Sequence, residues 1–168
     1  MSDCLRCCEL NIPYPQVVTG GKNLFYASLL TNDYAGTVSE MSAVTKYIFQ
    51  HIVTANKKIS DTIKCISIVE MHHMEILSEI IHDFGGNPRF AVQYGCNAAF
   101  WSAQYVSYDT DPRSYLKENI SNERAAIASY GTRINQINDI YVQKMLERII
   151  LDEENHIRLF AALLEEYF

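Results

Sequence analysis

Two pairs of glutamates, separated by the same interval, constrain this chain more than any other feature. Glu40 precedes Glu70 by 30 residues, and Glu123 precedes Glu153 by 30 residues. In an antiparallel helix hairpin, residues equidistant from the turn lie side by side, so the midpoint of each interval should be a turn. The midpoints are Ala55 and Asn138. They fall in Thr54-Ala55-Asn56-Lys57-Lys58 and Asn135-Gln136-Ile137-Asn138-Asp139, the two most polar breaks in otherwise periodic apolar sequence. Three residues beyond the second glutamate of each pair stands a histidine, His73 and His156, about one helical turn along the same face. Seven residues beyond the first glutamate of each pair stands a tyrosine, Tyr47 and Tyr130, two turns along. The pattern Glu, Tyr, Glu, His thus occurs twice at identical spacing. Glu79 and His82 repeat the Glu-x-x-His step alone. They lie nine residues further on, half a turn out of phase with Glu70 and His73, so they are expected to point away as solvated residues.

The 168 residues suit one domain with a proper core, and the 48% hydrophobic content agrees. Seven Gly and four Pro are few, and long apolar-periodic segments dominate, so the expected class is all-α. A formal charge of −6 with no Lys/Arg run argues against a nucleic-acid partner. No signal-peptide pattern and no long uncharged apolar run occurs, so no membrane segment is expected and the location expected by default is cytoplasmic. The five cysteines (Cys4, Cys7, Cys8, Cys65 and Cys96) are an odd number in a chain large enough to need no disulfide, and they read as reduced. Cys4-x-x-Cys7 is half of a thiolate metal site at most; a tail with incidental thiols is the simpler reading.

Residues 1–21, with Pro13, Pro15 and Gly20-Gly21, predict an extended arm packing over the bundle formed by 22–168. Helix one should run from about Lys22 to Thr54, burying Phe25, Leu29, Ala43, Tyr47 and Ile48 with Glu40 in the same stripe. Helix two should run from Lys58 to Phe84, stopping at Gly85-Gly86 with Pro88 beyond. Its stripe is Ile59, Ile63, Ile66, Glu70, His73, Leu77 and Ile81, and His72 falls on the flank. The irregular stretch 86–111 reads as a crossover along the bundle, with a short helix near Ala98 to Val106 and its aromatic residues buried against the helices. Asp111-Pro112 opens helix three, with Leu116, Ile120, Glu123, Ile127, Tyr130 and Ile134 in its stripe. Asp139 caps helix four, whose stripe is Val142, Leu146, Ile149, Glu153, His156 and Phe160; Asp152 and Glu154 lie off it and read as solvated.

The expected fold is therefore a four-helix bundle of two antiparallel hairpins joined by a long crossover, with four glutamates and two histidines at one level. A carboxylate on an apolar face costs several kcal/mol unless it is paired or coordinated. Four carboxylates and two imidazoles suit two first-row metals such as Fe or Mn bridged by glutamate. The alternative is an empty bundle whose six polar residues bond only one another.

Tyr34-Ala35-Gly36 through Glu40 to Tyr47-Ile48-Phe49-Gln50, Ile68-Val69-Glu70-Met71-His72-His73 through Gly85-Gly86-Asn87-Pro88, and Leu146-Glu147-Arg148-Ile149-Ile150-Leu151-Asp152-Glu153-Glu154-Asn155-His156 together resemble the ferritin-like superfamily. Within it the sequence is most similar to the diiron domain of rubrerythrins and to their manganese-catalase relatives. That resemblance implies that Glu40, Glu70 and His73 hold mainly one metal, that Glu123, Glu153 and His156 hold mainly the other, and that Glu70 and Glu123 bridge. Tyr47 and Tyr130 would orient the carboxylates by hydrogen bonds or stand as core tyrosines with satisfied hydroxyls. The implied cofactor is two metal ions, iron first or manganese, reacting with hydrogen peroxide or dioxygen.

The sequence departs from rubrerythrins at two points. Ala126 stands where they carry an additional glutamate ligand, and one Cys-x-x-Cys pair stands where a rubredoxin-type domain has two. A peroxidase would then require an external electron donor. A manganese-catalase-like reaction needs none, and there Glu153 would act as a base beside the metals rather than as a ligand. The competing classes are an iron-storage protein, which requires a cage, and a structural or assembly component retaining the bundle. A homodimer through an aromatic-rich face is the expected assembly.

Overall fold

The computed structural model describes residues 8–168, and the Cys4-x-x-Cys7 pair lies outside the described residues. Five α-helices follow in order: α1 (Leu24–Ala35), α2 (Glu40–Val53), α3 (Lys57–Asp83), α4 (Pro112–Gln136) and α5 (Ile140–Tyr167). Side chains just ahead of the helices accept hydrogen bonds from their first turns: Ser39 for α2, Asn56 for α3, Asp111 for α4 and Asp139 for α5. The hairpins α2–α3 and α4–α5 turn at 54–56 and 137–139, around Ala55 and Asn138.

The first helix is not continuous. It breaks at residues 36–39, and the two pieces together line α3. Gly36 ends α1 with its N–H donating to Asn32 O at 2.8 Å, and a Cβ there would lie 2.5 Å from that same carbonyl oxygen. Ser39 Oγ donates back to Gly36 O at 2.8 Å, and Ser42 Oγ does so at 3.0 Å, satisfying the carbonyl that a continuing helix would have used. The change of phase at the break puts Phe25 in solvent, while Ala27, Leu30 and Tyr34 take the buried face. Ile48, one position round from Tyr47, is also exposed.

At the end of α3 the chain stops as Gly85-Gly86 predicts. Gly85 N donates to His82 O at 2.8 Å and Gly86 N to Ile81 O at 2.9 Å, with Gly85 at φ +87°. The crossover then departs from expectation. In place of a helix it forms an antiparallel hairpin, β1 (Ala91–Tyr94) and β2 (Asn97–Phe100), in register Ala91↔Phe100 to Tyr94↔Asn97. A two-residue turn with Gly95 at φ +58° joins the strands, and a single 3₁₀ turn (Ala103–Tyr105) follows. Tyr94, Phe100 and Tyr108 are exposed, because the crossover buries itself through Ala91, Val92 and Val106. Trp101 is half-buried and donates from Nε1 to Ser42 Oγ at 3.0 Å, tying the crossover to the start of α2.

The core falls into two apolar clusters. One gathers Leu30, Tyr34, Leu77, Ile80, Ile81, Leu146 and Ile149 with their neighbours, and the other Tyr47, Ile59, Ile63, Ile66, Leu116 and Phe160 with theirs. Glu70 and His73 lie between the clusters on α3, as Glu153 and His156 do on α5. The polar layer is thus sealed above and below by hydrocarbon. Two glycines test the backbone reading. Gly36→Ala should destabilise the protein by about 1–3 kcal/mol, since the methyl meets a fixed carbonyl. Gly131→Ala, in the interior of α4 with open space around the new Cβ, should stabilise it by about 0.5–1 kcal/mol in urea melts.

Candidate metal centre

The break at 36–39 makes Glu40 the first residue of α2, where free backbone N–H groups and the helix dipole favour a carboxylate. Glu70, Glu123 and Glu153 come from the middles of α3, α4 and α5. All four are at most 3% exposed, and His73 and His156 are fully buried. Two groupings of ligand atoms, each within 4.8 Å of one another, emerge: Glu40, Glu70, His73 and Glu153, and Glu70, Glu123, Glu153 and His156. All six residues singled out from the sequence therefore meet. The pair common to both groupings is Glu70 and Glu153, whereas the family resemblance pointed to Glu70 and Glu123 as bridges.

Some donor atoms of the site bond each other, His156 Nδ1 to Glu153 Oε2 at 3.0 Å, and others are left without a partner. His73 Nδ1 comes within 3.0 Å of Glu153 Oε1, and His156 Nδ1 within 3.1 Å of Glu70 Oε1. Yet Glu70 Oε1, His73 Nδ1 and Glu153 Oε1 have no hydrogen-bond partner among the described residues. Buried polar atoms left in this state cost about 1–3 kcal/mol each, more when charged. Two divalent cations fit this donor set: each grouping offers three carboxylates and one imidazole, and together they neutralise four acidic groups.

The tyrosines cross between hairpins. Tyr47, on the helix of Glu40, donates its hydroxyl to Glu123 Oε1, and Tyr130, on the helix of Glu123, donates to Glu40 Oε1. Each fixes one carboxylate outside the shared pair. Above them lies a small cavity of about 40 Å³ bordered by Val38, Glu40, Lys46, Glu123, Ala126 and Tyr130. That is room for one or two molecules the size of water. Lys46 is buried there with its Nζ 5.0 Å from the Tyr47 ring centre, and burial lowers its pKa against the pull of Glu123 and Glu118.

Several participants were not expected. Asp152, read as solvated, is fully buried, with Oδ2 3.3 Å from His73 Nε2 and 2.7 Å from Arg148 Nη1. It is buried because the N-terminal arm covers this side of α5. The arm also corrects the reading of the cysteines: Cys8 is disulfide-bonded to Cys65 of α3, with Cα atoms 6.0 Å apart. Folding residue 8 back along the bundle closes a sequence separation of 57 that spacing could not suggest. The halves differ here. Val69 precedes Glu70 as Asp152 precedes Glu153, and His156 Nε2 has no hydrogen-bond partner among the described residues. Glu79, His82 and Glu154 are exposed as expected, and His72 is exposed on the flank, edge-on to the Tyr14 ring at 4.6 Å.

A helical bundle with carboxylates and histidines on four facing helices defines the ferritin-like class. Solved structures agree on the fold. The chain superposes on the manganese catalase KatB of Anabaena with a TM-score of 0.85 at 24% identity, covering 94% of this chain and 79% of that one. It superposes on the bacterioferritin of Mycobacterium tuberculosis with a TM-score of 0.70 at 20% identity, covering 87% of each. By sequence it is 28% identical over 171 residues to a probable manganese catalase of Clostridium acetobutylicum, spanning 90% of this chain and 75% of that protein. The rubrerythrin family profile matches residues 35–164, and the chain belongs to the rubrerythrin family.

Without metal, the site is held together by protons. Burial opposes the charged form of both histidines, but the adjoining carboxylates outweigh it, Glu153 foremost for His73 and Glu70 for His156. His73 is raised well above its ordinary value and His156 is raised to about 10. Burial, then the charges of Glu70 and Glu153, also raise Glu40 and Glu123. Glu70 is shifted the other way: burial is overcome by the charge of His156 and by the adjoining His73 and Glu40, and its carboxyl is held far below the usual range. A histidine raised in the native state contributes stability that is full below its unfolded value near 6.5 and is lost as pH climbs through the folded value. Glu70 gives its contribution already above about pH 4.5, so it adds no slope at higher pH. Glu40 and Glu123, raised in the folded state, lose their contribution from about pH 4.5 upward and the histidines theirs from about pH 6.5, so the melting temperature of the metal-free protein should fall from about pH 4.5 toward pH 10. Metal binding should release protons, with affinity rising across the same window, as calorimetry in buffers of different ionisation enthalpy would record.

Proposed function

We propose that this protein is a dimanganese enzyme that consumes hydrogen peroxide, which serves as oxidant and reductant in turn. The observation that carries the reading is the pair of buried carboxylate–histidine groupings sharing Glu70 and Glu153 beside a cavity of about 40 Å³. Glu40, Glu70, His73 and Glu153 would hold one ion, and Glu70, Glu123, Glu153 and His156 the other. When bound, the metals supply the electron change by passing between divalent and trivalent states.

The remaining work falls to the chain. Tyr47 and Tyr130 hold Glu123 and Glu40 in orientation, so that each carboxylate meets its ion without searching rotamers. Ala126 contributes only a methyl at the cavity wall and keeps that side free of a further carboxylate. Lys46 places an amine in the same cavity, where it can hold a proton near an incoming peroxide. The two apolar clusters exclude bulk water, which strengthens every charge interaction within.

Iron and manganese accept the same ligands. The preference for manganese over the iron favoured by the sequence reading rests on the relatives named manganese catalases.

Metal analysis of protein purified without chelator, beside an oxygen-electrode assay, tests this. About two Mn per chain with oxygen evolved from peroxide is expected. Glu70→Ala should lower peroxide consumption by about 100-fold or more with the helical circular-dichroism signal retained. Two Fe, with peroxide consumed only when a reductant is supplied, would replace the catalase by a peroxidase. A large cage by light scattering, taking up iron without turnover of peroxide, would replace it by storage.

A further inference from the structure

The arm that precedes the bundle reaches the same histidine as the ligands do. Residues 8–23 contain no helix or strand and are fastened along α5. Asn155 Nδ2 donates to Cys8 O at 2.9 Å, Leu10 N donates to Asp152 Oδ1 at 2.8 Å, and Arg148 donates from Nη2 to Leu10 O at 2.9 Å and from Nε to Ile12 O at 2.8 Å. The far end is pinned where Gly20 N donates to Asp139 Oδ2 at 2.6 Å. The Cys8–Cys65 disulfide ties the near end to α3 covalently.

Between these fastenings stands Tyr14. The Arg148 guanidinium lies 4.2 Å from its ring centre, its hydroxyl donates to Asp152 Oδ2, and its oxygen is 3.0 Å from His73 Nε2. Because His73 Nδ1 faces the carboxylates, a metal there would leave Nε2 carrying the ring proton. The tyrosine oxygen is nearer to that nitrogen than Asp152 is, at 3.0 against 3.3 Å. The proton on Nε2 is therefore received by an oxygen that itself donates to a carboxylate. Nothing equivalent serves His156, whose Nε2 has no partner among the described residues.

Resting on the dimetal reading above, we propose that Tyr14 is a positioning residue of the metal centre, acting through His73 on one of the two ions, and that the Cys8–Cys65 disulfide keeps it in place. Tyr14→Phe removes the hydroxyl but retains the ring against Arg148. Cys65→Ser removes the sulfur to which Cys8 is joined and leaves the arm held by its hydrogen bonds and packing, without the covalent tie.

The test loads wild type and both variants with Mn²⁺, challenges them with excess EDTA, and follows release of each ion together with the electron paramagnetic resonance spectrum before challenge. The wild type should retain both ions. Tyr14→Phe should release one ion about 10- to 100-fold faster, leave the other unchanged and alter the spectrum, with the circular-dichroism melt preserved. Cys65→Ser should accelerate the same ion, by less. Wild-type rates for either variant would overturn the proposal while leaving the dimetal reading intact. Equal acceleration of both ions would make the arm a general brace and overturn it too. A wild type that binds no Mn²⁺ under any loading condition would sink the dimetal reading and the proposal together.

Discussion

Glu70 and Glu153 approach both histidines from opposite hairpins, and the rest of the bundle is arranged so that this pair can exist in a dry interior. Buried carboxylates at this separation repel one another unless cations or protons intervene. In the metal-free protein the protons of His73, His156, Glu40 and Glu123 fill that role, so the site is an ion cluster in either state. The apolar clusters on either side raise the electrostatic stakes by excluding water. They also fix the depth at which each helix presents its ligand.

The two halves look alike at the level of ligands and unlike one layer out. Glu, Tyr, Glu and His recur at the same spacing, and each tyrosine serves the carboxylate of the other half. Behind His73 lies an anchored group of Tyr14, Asp152 and Arg148; behind His156 the described residues offer no partner. The difference traces to a single position, Asp152 against Val69, and to an arm that covers one side of α5. A pseudo-symmetric bundle can in this way give its two glutamate–histidine sets nonequivalent surroundings without altering any of the six residues.

The convergence of the four glutamates and two histidines was legible because it depends on helix periodicity and hairpin symmetry, which spacing encodes directly. Ala55 and Asn138 fell in the turns for that reason, and Asp111, Asp139 and Gly85-Gly86 carried recognisable capping chemistry. The break before Glu40 was missed although Gly36 and Ser39 supplied a stop and a start, because the apolar pattern continued through them. Asp152 was missed because stripe reasoning sees only what faces the neighbouring helix. Its partner Arg148, four residues back on the same face, was the available signal. Tyr14 and the Cys8–Cys65 bond depend on where an irregular arm comes to rest, and no periodicity reports that. The crossover misled by composition: its aromatic residues suggested burial, while its small residues Ala91 and Val92 supplied it.

The crossed tyrosines bear on how the chain finds its native register. Two hairpins packed through aliphatic side chains can slide by a turn with little change in buried area. Tyr47 to Glu123 and Tyr130 to Glu40 run in opposite senses across the junction, so a slip that lengthened one would carry the other out of reach as well. The pair acts as a vernier between hairpins, admitting one alignment and penalising its neighbours with two orphaned carboxylates. The chain can therefore measure the alignment of its helices before any ion arrives.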